Sequence, residues 1–371
     1  MTTALLILAV VFTALMMFGV PVSFSIGIAT LLALFTVTPT PNTALIVSAQ
    51  RVASSLDSFT LVAIPLFILA GGLMNTGGIA MRLIDLAKVL VGWLPGSLAQ
   101  ISVVANALFG AISGSAVASA ASVGATLSPL QRQAGYNMPI CAAANVASSP
   151  CGLLIPPSGA LIVYSLISGG TPVDVLFVAG YIPGILMAGS VMVWLAIIAR
   201  RGELPTDVRR YSMNEAAHIF WRALPALAMI AIIMGGIVGG IFTATEAAGV
   251  AALYTLVLGL LYRSLTLKTL VGSVINASVG TAVVMLMVGV SMTMSWLLAS
   301  TGSVQMLGEA IIGVSSNPYV LLLLLNILLL VLGTFLDITP GLLIFTPIFL
   351  PVAMKLGISP VHFGIIMTFN L

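Results

Sequence analysis

Charge is what this chain has least of. Only 6% of its 371 residues are Asp, Glu, Lys or Arg, against about 25% in an ordinary soluble domain, so it cannot cover itself with a water-compatible surface. Cysteine and histidine are also scarce, at two each. Cys141 and Cys151 lie ten residues apart in apolar sequence, which offers neither a disulfide framework nor a metal-site spacing; they read as small packing residues. His218 sits beside a basic stretch and His362 near an expected interface, each without a partner suited to catalysis, so an intramembrane enzyme lacks its nucleophile, base or metal set. The phosphate-cradling pattern Gly-x-x-x-x-Gly-Lys-Ser/Thr is missing, which excludes ATP chemistry of that type. So is the polar–apolar alternation of a membrane β-barrel. The net charge of +3 belongs to loops and reports orientation, not nucleic-acid binding.

What the chain has instead is apolar length. Sixty per cent of it is hydrophobic, and residues 89–131, 133–173 and 269–308 carry almost no charge. A spanning helix needs roughly 20 mostly apolar residues, so the lipid bilayer is the solvent and the fold class is an all-α polytopic membrane protein. Apolar runs predict helices at 5–18, 22–37, 59–74, 98–130, 140–167, 175–199, 223–241, 247–262, 274–299 and 319–354, with a last run from Val361. The first run has no basic start and no small-residue cleavage site, so it reads as a retained helix and not as a signal peptide.

Five basic residues (Arg200, Arg201, Arg209, Arg210, Arg222) fall in one polar stretch, which the positive-inside rule places in the cytoplasm. That loop, 200–222, separates a first repeat (1–199) from a second (223–371). Thr76-Gly77-Gly78-Ile79-Ala80-Met81 is echoed by Thr301-Gly302-Ser303-Val304-Gln305-Met306 at an offset of 225, and Pro129 with Gly135 by Pro351 with Gly357 at 222. The run near 97–131 is too long for one spanning helix and too short for two with a loop. Its centre, Ser113-Gly114-Ser115, is small and polar, so two half-length helices meet there in a re-entrant hairpin. The run 319–354 has the same form, broken around Gly333, Asp337, Thr339, Pro340 and Gly341. Irregular backbone at membrane depth is tolerated only inside protein or a watery cavity. With both hairpins re-entrant, ten basic residues lie inside and two (Arg51, Lys355) outside, the N-terminus is external, and the repeats are inverted.

Inverted repeats with broken helices put free carbonyls and helix ends at the midplane, where they replace an ion's water. The first repeat has two breaks: the hairpin tip, and the broken helix near 137–168 with Ser148-Ser149-Pro150-Cys151-Gly152 and Ile155-Pro156-Pro157-Ser158-Gly159. Proline removes a donor and clashes with the preceding turn, freeing carbonyls in mid-helix. Neutral oxygens suit a monovalent cation such as Na⁺ and not zinc or iron. The candidates are Ser113, Gly114, Ser115, Ser119, Ser148, Ser149, Gly152 and Pro156, with Gly333, Asp337 and Thr339 in the second repeat. Taken singly, each serine also reads as a residue that lets helices approach. Asp337 reads equally as an intramembrane functional carboxylate or as a helix cap. Thr243-Ala244-Thr245-Glu246 fits a capping box.

Several motifs together resemble one family. Ala63-Ile64-Pro65-Leu66-Phe67-Ile68-Leu69-Ala70-Gly71 is similar to a signature of the large membrane subunit (M, DctM-like) of tripartite ATP-independent periplasmic (TRAP) transporters. So are Gly110-Ala111-Ile112-Ser113-Gly114-Ser115, Leu154-Ile155-Pro156-Pro157-Ser158, Ala179-Gly180-Tyr181-Ile182-Pro183-Gly184, Thr245-Glu246-Ala247-Ala248 and Gly357-Ile358-Ser359-Pro360-Val361-His362-Phe363-Gly364. The resemblance implies a Na⁺-coupled elevator-type symporter in the bacterial inner membrane, importing organic acids such as a C4-dicarboxylate or sialic acid. It implies a small four-helix membrane subunit (Q-type) and a periplasmic solute-binding protein as partners, no cofactor besides the coupling ion, and a substrate site between the hairpin tips near Ser115 and Pro157. The alternative is a related ion-coupled carrier that acts without a binding protein. Two departures stand out. The family's tip commonly has a proline and a threonine where this chain has Val117-Ala118-Ser119, and the family continues past Leu371 with a second double-proline break, so the second cation site is expected to have only its hairpin half here.

Overall fold

The computed structural model describes every residue except Met1, Gly77, Gly78, residues 207–210, Ser315, Ser316 and Phe335, and sets aside the side chains of Thr2, Thr76, Ala80, Ile112, Ser113, Leu307, Ile312 and Pro318. Three parts of the sequence reading therefore lie outside the described residues: Gly77 and Gly78 of the first echo, Arg209 and Arg210 of the basic stretch, and the side chain of Ser113.

Among the described residues the regular structure is helical throughout. In chain order the helices are α1 (Thr2–Met17), α2 (Val22–Val37), α3 (Pro41–Leu56), α4 (Ala63–Thr76), α5 (Ile79–Val91), α6 (Ser97–Ser113), α7 (Ala116–Gln133), α8 (Met138–Ser148), α9 (Cys151–Leu154) and α10 (Gly159–Ile167). They continue with α11 (Val173–Arg200), α12 (Met213–Val238), α13 (Ala244–Leu261), α14 (Leu267–Ser300), α15 (Ser303–Ile312), α16 (Pro318–Gly333), α17 (Ile338–Lys355) and α18 (Pro360–Asn370). Helices α11, α12, α13, α14 and α17 are each long and apolar enough to cross a membrane.

Three helices fall where no apolar run predicts one: α3, α5 and α15. Each mixes apolar with polar residues, as in Gln50 and Arg51 of α3 or Arg82, Asp85 and Lys88 of α5. A further correction concerns α12, which starts at Met213 and not near 223. Ser212 and Glu215 form a reciprocal capping box there, each side chain taking the other's backbone N–H, so the last ten residues of the expected loop are helical. The same device starts α13 at Thr243 and Glu246, as the sequence suggests.

The chain packs as two units that cut across the sequence halves. One comprises residues 1–62, 163–172 and 279–371; the other comprises 63–162 and 173–278. In lipid, burial of apolar surface from water no longer drives helices together, and close packing with satisfied polar groups does. The first unit shows this where α2 meets α14: Gly27 leaves room for Val290, and Ile26, Met294, Leu298, Leu336 and Ile344 form a buried cluster beside it. In the same unit the Tyr164 hydroxyl donates to the Pro360 carbonyl, and the ring lies against Gly364, where any added Cβ would meet it at 2.3 Å.

In the second unit α6 and α7 lie antiparallel. Gln131 Nε2 donates to Leu98 O and Ser102 Oγ, both at 3.0 Å, while nearer the turn Ser119 reaches Asn106. Helix α8 then runs back along α7, placing Asn145 Nδ2 on Ala120 O at 2.8 Å.

Helix ends recur at one spacing. The pairs α7 and α17, 18 residues each, and α8 and α18, 11 residues each, start and stop at an offset of 222, as 116 to 338, 133 to 355, 138 to 360 and 148 to 370 show. Gly135 and Gly357 both take positive φ, +73° and +81°, a conformation that carries little penalty only for glycine.

Candidate functional site

The tip of the α6–α7 hairpin is two residues long. Gly114 ends α6 in the left-handed conformation, φ +63°, and Ser115 opens α7, its side-chain oxygen accepting from Ala118 N at 3.2 Å. Ser115 is therefore an N-cap, a role in which Ser ranks among the best residues.

The partner of this tip is the broken helix. Helix α8 stops at Ser148, the one-turn helix α9 follows, and α10 restarts at Gly159 after a bend of 51°. Proline explains the pieces. Pro150 cannot donate to Val146 O, and that carbonyl instead accepts from Ser149 N at 3.3 Å and from Ser149 Oγ at 2.9 Å. Pro156 and Pro157 cannot donate to Gly152 and Leu153, so α9 ends with those carbonyls released from helical pairing.

Glycine brings the two breaks together. Gly110 on α6 faces Gly152 on α9 so closely that a Cβ on Gly152 would lie 2.2 Å from the Gly110 Cα. At the tip itself, a Cβ on Gly114 would come within 3.4 Å of Gly159 N, the first residue of α10. Glycines at 180 and 184 let α11 close over the other side of α9: a Cβ on Gly180 would lie 2.2 Å from Leu154 O.

Behind the tip lies a buried polar cluster that joins the expected Ser119 and Ser148 to two residues the sequence reading missed, Asn106 and Asn145. Asn106 is fully buried on α6. Its Nδ2 donates to Ser148 Oγ at 2.8 Å and to Asn145 O and Oδ1, both at 2.9 Å, and its Oδ1 accepts from Ser119 Oγ at 2.9 Å. Ser148 also donates to Asn145 O at 3.2 Å. A carboxamide in an uncharged apolar helix must find partners or bear a large desolvation cost, which is the signal that should have drawn attention to Asn106 and Asn145.

Of the first-repeat candidates, Gly114, Ser115, Ser119, Ser148, Ser149, Gly152 and Pro156 thus belong to one connected region of the second unit. Pro157 is buried beside them. The hydroxyls of Ser119, Ser148 and Ser149 already bond protein partners, and each oxygen retains lone-pair capacity for a cation.

The second-repeat candidates lie in the first unit. Gly333 ends α16, and a Cβ there would meet Asn370 O at 2.8 Å. Asp337 is the N-cap residue of α17 in position only: it is exposed and makes no side-chain capping bond. Thr339 follows in the first turn of α17. Asn326 on α16 accepts through Oδ1 from Asn370 Nδ2 on α18 at 2.8 Å, a single pair where the first hairpin has a cluster.

Known proteins match this chain in sequence and in fold. Residues 9–371 match the family described as the tripartite ATP-independent periplasmic transporter, DctM component. The chain is 51% identical over 360 residues to the protein YgiK of Salmonella typhimurium, covering 97% of this chain and 82% of that one. It is 40% identical over 357 residues to the sialic acid TRAP transporter large permease protein SiaM of Vibrio cholerae, covering 95% and 82%. The crystal structure of the Alcanivorax borkumensis YdaH transporter shares its fold, with a TM-score of 0.54 at 14% identity over 87% of this chain and 75% of that one. An all-helical multi-pass membrane chain with these breaks, matched from residue 9 to its last residue, is a transport protein and not an enzyme: it belongs to the DctM component family of TRAP transporters.

Proposed function

We propose that this chain is the translocating subunit of a Na⁺-coupled secondary transporter that imports an organic acid delivered by a periplasmic solute-binding protein, with a small four-helix membrane subunit beside it. The observation that carries the proposal is the meeting of the hairpin tip at Gly114 and Ser115 with the double-proline break at 155–158. Both supply neutral oxygens: hydroxyls that accept as well as donate, and carbonyls that proline has released from helical bonding. Such ligands replace the water of a hard monovalent cation without adding charge to the membrane interior. Asn106 acts here as a positioning residue. Its carboxamide is fully engaged by Ser119, Asn145 and Ser148, so it sets where those oxygens sit.

The second repeat is proposed to carry the counterpart site around Gly333, Asp337 and Thr339. The repeats are proposed to have inverted topology, the hairpins to be re-entrant, and the substrate to bind near Ser115 and Pro157 and move by an elevator mechanism. Sialic acid, the substrate in the name of one relative, marks the carboxylate class to test first.

Reconstitution in proteoliposomes with candidate binding proteins tests the coupling. Uptake is expected to require a Na⁺ gradient and to proceed without ATP. Equal uptake in choline buffer, with no proton gradient, would overturn it. Cysteines placed at Gly170 and Thr206 test the orientation: Gly170 is expected to react with a membrane-impermeant reagent from the periplasm, and Thr206 only after the membrane is opened.

A further inference from the structure

One cation of the second unit has no acceptor of its own. Arg82, on α5, stacks its guanidinium over the Tyr262 ring with its central carbon 3.4 Å from the ring centroid, yet its Nη1 is buried and hydrogen-bonds to nothing. Among the described residues the only ion pair is Lys88 with Asp85, at 2.8 Å, so the nearest carboxylate on α5 is already neutralised. Arg82 is left with a planar face held by the ring and an Nη1 donor without a partner among the described residues.

The surroundings are cationic on one side and apolar on the other. Helices α4 and α13 pack along each other, with Leu66 of α4 over Gly249 early in α13 and Arg82, just past α4, at the residue that ends α13. That residue is Tyr262, the C-cap that follows Leu261. It is followed at once by Arg263, held at φ +51°, and six residues later by the exposed Lys268 in the first turn of α14. The outer face of α13 leading to this point is apolar and exposed, with Leu253, Val257, Leu260 and Leu261 all uncovered, and Met81 stands exposed beside Arg82. Arg82, Arg263 and Lys268, without ion pairs among the described residues, together with the uncovered apolar strip on α13 suit an amphiphile with an anionic head.

We propose that Arg82, with Tyr262 as its platform and with Arg263 and Lys268 on the segment that follows Tyr262, binds the phosphate of an anionic phospholipid whose acyl chains lie along the exposed face of α13. Arg matches a phosphate's geometry with its planar fork of donors, and an aromatic ring fixes that fork without competing for its N–H groups. Basic pockets beside membrane helices recognise lipid heads in this way. The site is independent of the coupling ion and of the transported acid.

Thermal unfolding of the purified full-length chain in a neutral detergent tests this. Phosphatidylglycerol is expected to raise the unfolding temperature and phosphatidylcholine to leave it unchanged, with native mass spectrometry showing retained phosphatidylglycerol. Arg82→Gln is expected to weaken the apparent phosphatidylglycerol affinity roughly tenfold or more, the effect of losing a charge-assisted hydrogen bond. Tyr262→Leu, which keeps the charge and removes the platform, is expected to weaken it less, and it serves as the reading if Arg82→Gln does not fold. Equal shifts with both lipids, or an unchanged phosphatidylglycerol response in the variant that is read, would overturn the site. A shift reproduced by inorganic phosphate alone would overturn the lipid and leave free phosphate as the ligand.

Discussion

At the tip of the hairpin α6–α7, Ser115 closes the first turn of α7 with its own oxygen; 222 residues further on, Asp337 starts α17 and does not. The rest of the two regions compares in the same way. Asn106 and Asn326 stand at similar positions along the first helix of each hairpin, but Asn106 holds two serines and an asparagine, whereas Asn326 bonds Asn370 and, within its own helix, the Leu322 carbonyl. Helix lengths and glycine positions are common to both. Two regions can share helix lengths and backbone geometry while their polar contents differ, and here the first region has neutral, bonded oxygens and the second an exposed carboxyl residue.

The largest effect should come from breaking the close approach on which the first region depends. Gly152→Ala places a Cβ 2.2 Å from the Gly110 Cα and 2.8 Å from Ala111 N. Backbone, not a mobile side chain, stands in its way, so a cost near the upper end of overpacking, about 3 kcal/mol, is expected, with transport abolished. The matching clash in the second region, Gly333→Ala against Asn370 O at 2.8 Å, meets the last turn of α18 and should cost less. Unfolding temperature and uptake measured on both variants give the ranking; a harmless Gly152→Ala would mean that the tip and the break are not pressed together.

Next comes the polar cluster. Asn106→Ala strips Ser119, Ser148 and Asn145 of partners in a buried setting, a loss of roughly 2–4 kcal/mol. Asn326→Ala breaks one pair and should cost about 1 kcal/mol. Chemical denaturation in detergent distinguishes them, and equal losses would contradict the contrast between cluster and pair.

How much of this was legible beforehand follows from the physics of each signal. Apolar length marks helices that lipid surrounds, so α11, α13 and α14 stand out; small polar residues alone mark the break at 113–116, and proline combined with Ser and Gly marks the one at 148–159. The same signal is blind to α3 and α5, whose Arg51, Arg82, Asp85 and Lys88 interrupt the apolar run while leaving one helical face intact. It is blind to the start of α12, where Ser212 and Glu215 act through hydrogen bonds and not through hydrophobicity. Proline and serine also had a local duty that composition hides: Ser149 serves the carbonyl that Pro150 cannot. Asn106 and Asn326 are plain in the sequence, but which groups they reach depends on how α8 and α18 fold back.

The proposed cation ligands sharpen the comparison further. Ser115→Ala and Ser149→Ala each remove an oxygen from a site where Na⁺ has lost its water. A lost ligand worth roughly 1–3 kcal/mol raises the Na⁺ concentration for half-maximal uptake by about fivefold to more than a hundredfold. Should both variants fold and keep wild-type Na⁺ dependence, the serines only cap and pair, and the ligands are carbonyls.

The smallest effect on stability, and the one that separates structure from function at the two tips, is expected at Asp337. Because Ser115 bonds Ala118 N, Ser115→Ala should cost about 1 kcal/mol through the lost cap alone. Asp337 makes no such bond, so Asp337→Ala should change the unfolding free energy by less than about 0.5 kcal/mol, as at an ordinary surface position. If the carboxyl group serves coupling, Asp337→Asn, which keeps the shape and removes the charge, should nevertheless reduce Na⁺-driven uptake or alter its voltage dependence. Uptake and stability therefore part company at Asp337 and move together at Ser115. An Asp337→Asn variant with full uptake and full stability would reduce this residue to a solvent-facing start of α17 and leave the first region as the one that carries the ion.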